Sequence, residues 1–132
     1  MRIISKNKES YKEKNLKTLC IKNSNEKIGK IRLANTFITR FRGLMLKEKC
    51  EYPLLFEIPQ KIKIKERSSI HSLFMRFELT VVFIDEDDTV FEIADLKPWR
   101  YHVPKKSAKY IVEFEKNRFH RELRIGDEVE IR

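Results

Sequence analysis

Four side chains stand where their types could do chemistry: Arg40, His71, Trp99 and Arg100. Each breaks into a stretch that is otherwise apolar or turn-like. Arg40 carries a planar guanidinium that binds carboxylate or phosphate through two parallel donors. It lies beside an apolar helical face, so it serves either an anionic ligand or a tie between helix and sheet. His71 sits in an apolar strand and is the side chain best suited to change charge near neutral pH. Its readings are a general acid or base, a metal ligand, or a hydrogen-bonded core or pocket-lining residue. His102 and His120 stand at no ligand spacing from it. Trp99 lies between Lys97 and Arg100, so its indole could stack on a base or sugar while the cations hold a phosphate. Alternatively it pins a loop that contains Pro98.

Other chemistries find less in the sequence. No glycine-rich phosphate loop, nucleophile elbow or HExxH is present. Cys20 and Cys50 form no CxxC and have no histidine at metal spacing, so no metal site or cofactor is expected. They read as two small buried residues, with one disulfide as the alternative. Asp85 to Asp88 is an acidic turn without the glycine and spacing of an EF-hand loop, and reads as a solvated hairpin tip. Met45, Phe74 and Met75 read as core or as the wall of an apolar pocket.

The elements that must position these residues are mostly strands. Residues 15–23 and 30–34 read as an N-terminal hairpin around Ser24-Asn25-Glu26-Lys27. Phe37, Phe41, Leu44 and Met45 then fall at i, i+4, i+7 and i+8, one face of a helix over residues 36–46. Asn35 or Thr36 is its N-cap. After Pro53 the strand signals return. Leu54 to Ile58, the Ile62 and Ile64 alternation, Ile70 to Phe77 and Leu79 to Ile84 follow one another. Val81-Val82-Phe83-Ile84 is the stretch expected deepest in the core. The acidic turn sends the chain back through Val90 to Leu96, and Pro98 stops that strand because it lacks a donor. Tyr110, Val112 and Phe114 alternate. Phe119, Leu123 and Ile125 read as a helical turn before Gly126-Asp127, and Val129 and Ile131 end the chain as a strand.

Eight or nine short strands with one helix point to a mainly β single-domain sandwich or small barrel. The expected division is a basic leader over residues 1–14 and one β domain over 15–132.

Three blocks stand in a familiar order: Ala34-x-Thr36-x-x-x-Arg40-x-x-Gly43-Leu44-Met45, then Ile70-His71-x-x-Phe74-Met75-Arg76-Phe77 leading to Val81-Val82-Phe83-Ile84-Asp85, then Lys97-Pro98-Trp99-Arg100 with Gly126-Asp127. The chain from about residue 16 onward resembles the uncharacterised family called domain of unknown function 192, a UPF-type family of small bacterial and archaeal proteins. The resemblance implies a compact β-sandwich similar to a jelly roll, carrying one helix, and no established activity. Ser72 stands where Met is common in that family, Glu78 where Pro is usual and Thr80 where Asp is usual. A charged acid-base role at position 80 therefore does not carry over.

Composition sets the outer bounds. A chain of 132 residues with 41% hydrophobic and 11% aromatic content can bury a core without metal or disulfide staples. Abundant Lys, Glu and Ile with only 3 glycines suggest a heat-adapted protein. The net charge of +9 raises nucleic acid as a partner, but the charge is uneven. Residues 1–30 hold nine Lys or Arg against three acids, leaving twenty against seventeen over residues 31–132. The basic segment reads as a solvated terminus or as a salt-sensitive polyanion binder. No stretch reaches the roughly 20 apolar residues of a membrane helix, and Met1 to Glu13 lacks a signal-peptide core, which points to the cytoplasm.

Three functional expectations follow. The first is a binding module for a small anionic or sugar-like ligand held by Arg40, His71, Trp99 and Arg100. The second is a binder of nucleic acid or another acidic partner through the leader. The third is an enzyme that uses His71 as acid or base.

Overall fold

Both faces of the strand Leu79–Ile84 are buried, and this decides the architecture. Residues Leu79–Ile84 are buried without exception, four of them in the expected Val81 to Ile84 run. A strand buried on both faces must sit in the middle of a sheet with material on either side. The computed structural model describes residues 16–33, 53–58, 65, 70–71 (backbone only), 77–115 and 122–132. The expected helix over 36–46, the 1–14 leader, the Ile62 and Ile64 strand, and Met45, Cys50, Phe74, Met75, Phe119 and His120 lie outside these residues.

Nine strands are described: β1 (Leu16–Ile21), β2 (Lys27–Leu33), β3 (Leu54–Glu57), β4 (Ile70–His71), β5 (Leu79–Ile84), β6 (Val90–Leu96), β7 (Tyr101–His102), β8 (Tyr110–Glu115) and β9 (Val129–Ile131). Seven form one mixed sheet in the order β6-β5-β8-β3-β2-β1-β9, and β4 pairs with β7 in a second, two-stranded sheet. The mainly β class read from the sequence is what the chain adopts. Pairing is antiparallel except between β2 and β3, which run parallel with Arg32 beside Leu54. A parallel pair needs a crossover of a dozen or more residues, and the chain between Leu33 and Leu54 supplies that length.

The long sheet curls until its two ends meet. Thr89, just before β6, bridges Glu128, just before β9. Val90 N–H donates to the Asp127 carbonyl at 2.9 Å, Gly126 N–H to Val90 at 2.8 Å and Val129 N–H to Asp88 at 2.9 Å. These bonds cover strand edges that would otherwise remain unpaired. The apolar clusters fit this closure. One draws a residue from every strand of the sheet, among them Leu19, Ile31, Leu55, Val82, Val90, Val112 and Val129, and forms the interior. The other draws only on β3, β5, β6, β8 and their flanks, including Leu54, Phe56, Val81, Phe83, Phe91 and Ile111, and forms a buried patch on the outer face.

Turns follow local chemistry. The expected helical turn before Gly126 is absent at its described residues: Leu123 is buried in the interior while Ile125 is 67% exposed. The chain instead makes a tight turn over Arg124 to Asp127. Asp127 N–H donates to the Arg124 carbonyl, and the Asp127 carboxylate accepts from Arg124 N–H at 2.8 Å. Gly126 takes φ 97°, a conformation that favours glycine. Cys20 is fully buried with a free thiol, as a small apolar residue would be.

The acidic tip is a structural knot rather than a bare solvated turn. Asp85 accepts from the Asp87 and Thr89 amides at 2.9 and 3.1 Å and meets Lys106 Nζ at 3.3 Å. Asp88 meets Lys109 Nζ at 3.2 Å and Lys22 Nζ at 4.0 Å. Three lysines from two segments, Lys22 between β1 and β2 and Lys106 and Lys109 between β7 and β8, thus face the tip. Burial pushes the Asp85 pKa up, but the two amides and Lys106 together outweigh it and hold it below its usual value. A depressed carboxylate stabilises the fold above its unfolded pKa and loses that contribution as pH falls through its folded one. Asp85→Asn is therefore expected to cost about 1–2 kcal/mol at pH 7 and much less near pH 3, read from urea midpoints at the two pH values.

Candidate functional site

Two polar groups outside the acidic tip lie on the outer face. On β8, Glu113 lies between Val81 of β5 and Leu54 of β3, and Arg32 of β2 follows Leu54 in the same cross-strand row. Glu113 is 7% exposed. Among the described residues no hydrogen bond or ion pair reaches its carboxyl, and burial pushes its pKa up to about 8. It is therefore largely a neutral carboxylic acid at pH 7. Arg32 buries its Nε and Nη2 atoms.

A second polar group lies one row along. Glu92 of β6 stands opposite Phe83 of β5. Its Oε2 is 2.5 Å from His102 Nε2, and its Oε1 accepts from Lys105 N–H at 3.0 Å. Burial raises the Glu92 pKa, while the bonds from His102 and Lys105 lower it further, leaving it below the usual value. The His102 ring lies 5.5 Å from the Phe83 ring at 37°. Strand β7 thus runs back from the end of β6 across the outer face and brings β4 with it.

The four residues singled out from the sequence fare differently. Arg40 lies outside the described residues. His71 is in β4, in register with Tyr101, while Ile70 is in register with His102. The sequence gap between His71 and His102 therefore misleads, because strand pairing sets them one residue out of register. Trp99 and Arg100 occupy the turn between β6 and β7, both exposed. So the turn and His71 are neighbours along one small two-stranded sheet. Trp99 adopts φ 65° and is 55% exposed, and Tyr101 is 63% exposed. A left-handed conformation is an outlier for a bulky residue and costs on the order of 1–3 kcal/mol. Trp99→Gly is accordingly expected to hold or raise stability by about 1 kcal/mol, measured by urea unfolding followed by circular dichroism. A fall of several kcal/mol would show that the indole is a structural anchor.

Sequence reasoning missed Glu113, Glu92 and His102. Glu113 had one visible signal: Ile111 and Glu113 alternate with the residues read as buried, and Ile111 is itself apolar. Thr80, whose position carries no charge of its own, donates its hydroxyl to Asp95 of β6 at 2.7 Å, so a carboxylate is supplied across the strand pair. Among the described residues, no group of three or more His, Cys, Asp or Glu side chains gathers to hold a metal, and no helix is long and apolar enough to cross a membrane.

A small mainly β domain whose sheet curls on itself and carries a two-stranded flap is the class that this geometry defines. The family model of domain of unknown function 192, described as Uncharacterized ACR, matches residues 19–131, and the chain belongs to that family. Its relatives include the UPF0127 protein of Pyrococcus furiosus, 46% identical over 83 residues, covering 63% of this chain and 69% of that protein. The UPF0127 protein of Thermococcus sibiricus is 41% identical over 85 residues, covering 64% of this chain. The chain spans only 54% of the length of that relative. Such relatives come from archaeal thermophiles, in keeping with the composition. Two crystal structures share the fold. One, from Sinorhizobium meliloti and described as a candidate transcription regulator, has a TM-score of 0.67 at 17% identity, covering 88% of this chain and 92% of that one. The other, a protein of unknown function from Novosphingobium aromaticivorans, has a TM-score of 0.65 at 18% identity, covering 87% and 83%.

Proposed function

We propose that this domain binds a small ligand of sugar-like or anionic chemistry at the turn between β6 and β7. Trp99, Arg100 and Tyr101 form the platform, with His71 in register beside Tyr101 and Arg40 as the further candidate from the sequence. The observation that carries this reading is the presentation of Trp99. A chain that gains about 2–3 kcal/mol by burying a large aromatic side chain instead holds this one outside, on a strained backbone, next to a second exposed aromatic. Flat aromatic faces flanking a guanidinium suit a ring with hydroxyl or phosphate substituents.

The chain contains 1 Trp, so its emission reports on this turn alone. Methyl glycosides of glucose, mannose and galactose, and glucose 6-phosphate, serve as probes. A saturable change in Trp99 emission with at least one of them is expected. Calorimetry on Trp99→Gly and Arg100→Ala should then show affinity reduced tenfold or more. Undiminished binding in both variants, or no response to any probe, would overturn the reading.

A further inference from the structure

The platform residues are exposed, yet the segment that follows them is fastened tightly. Strand β6 carries a bulge: Phe83 faces Glu92 while Ile84 faces Val90, so Phe91 is the extra residue. Bulges re-aim side chains. This one sets Phe91 into the outer-face cluster next to Glu92, the partner of Phe83 in that cluster. Glu92 engages both carboxylate oxygens, one with His102 Nε2 and one with Lys105 N–H. The His102 ring rests near Phe83. Lys106 continues the fastening, with Nζ 4.7 Å above the Phe91 ring and 3.3 Å from Asp85. Residues 102–106 are thereby tied to β5, β6 and the acidic tip, directly after the exposed residues 99–101.

Strands β4 and β7 have two residues each. So short a pair is not stable by its own hydrogen bonds and needs a side-chain anchor. A carboxylate whose two oxygens are both engaged provides a fixed one, and its bond to an imidazole is of the stronger, charge-assisted kind. We infer that Glu92 and His102 are positioning residues, which hold β7 and so set Trp99, Arg100 and Tyr101 in their ligand-accepting arrangement. The ligand half of this inference rests on the proposed function; the positioning half does not.

The test reads Trp99 directly in the full chain. In Glu92→Ala and His102→Ala, acrylamide quenching of Trp99 should rise at least twofold and its anisotropy should fall, at a temperature well below unfolding. Affinity for the best methyl glycoside should drop tenfold or more. Glu92→Gln keeps an amide oxygen that accepts from Lys105 N–H and an amide NH2 that donates to His102 Nε2 in its Nδ1–H tautomer, and should restore most of each signal, which a general loss of stability would not do. Should the alanine variants fail to fold, Glu92→Gln and His102→Asn carry the same comparison, with His102→Asn loosening Trp99 and Glu92→Gln not. Unchanged quenching and anisotropy in folded variants would overturn the inference. If Trp99 loosens in the variants but no probe binds the native chain, the proposed function falls while the positioning role stands.

Discussion

Replacing Glu113 by glutamine is expected to make the protein more stable above pH 7 by several kcal/mol and to leave it nearly unchanged at pH 5. The cause is the fully buried carboxyl, whose pKa burial lifts from 4.5 to about 8. Between those values the folded chain holds a proton that the unfolded chain has released. Stability therefore falls as pH rises, by about 1.4 kcal/mol per pH unit, and levels off above pH 8. The whole loss is on the order of 4–5 kcal/mol, a large part of the 5–15 kcal/mol typical of a domain. Glutamine matches the neutral acid in shape and removes the titration. Urea midpoints at pH 5 and pH 8.5 decide the matter, and parallel curves for the native chain and Glu113→Gln would refute it. Asp85 and Glu92 pull the other way at low pH, because their depressed carboxylates lose their contribution on protonation. The native protein should thus be most stable near pH 5, between the two effects.

Glu113 also shows where the sequence stops being legible. The alternation of Tyr110, Val112 and Phe114 marks one face of β8, and a polar residue between them reads as solvent-facing by the period-2 rule. That rule presumes one wet face. Here the outer face is itself buried, so Glu113 is enclosed with Ile111. The long apolar run of β5 was legible because composition alone signals burial on both faces. The hairpin of β5 and β6 was legible because Asp85 to Asp88 is local turn chemistry. The meeting of Thr89 with Glu128 was not, since closure depends on contacts between distant residues with no mark in either segment. The same holds for the site. Trp99 and Arg100 stand out by type beside Pro98, but the Glu92 and His102 pair depends on a bulge and on β7 folding back across the sheet.

Phe83→Ala is expected to be the most damaging single truncation among the described residues. Phe83 is fully buried on β5, with ring centres 6.2 Å from Phe91 and 5.5 Å from His102. Removing a buried phenyl group forfeits its transfer free energy and leaves a cavity, together about 3–5 kcal/mol. The sheet on either side is held by β6 and β8, so the backbone has little freedom to collapse into the space. Phe83→Leu keeps most of the volume and should cost on the order of 1–2 kcal/mol. Loss of the ring also removes the surface on which His102 rests. Trp99 should therefore become more mobile in Phe83→Ala, and combining it with His102→Ala should cost less than the two changes added. Contacting pairs of this kind couple by about 0.5–3 kcal/mol. Urea unfolding of the two single variants and the double variant measures that coupling directly. Strict additivity would show that the ring stabilises the outer face without bearing on β7, and would cut the path by which the core reaches the exposed turn.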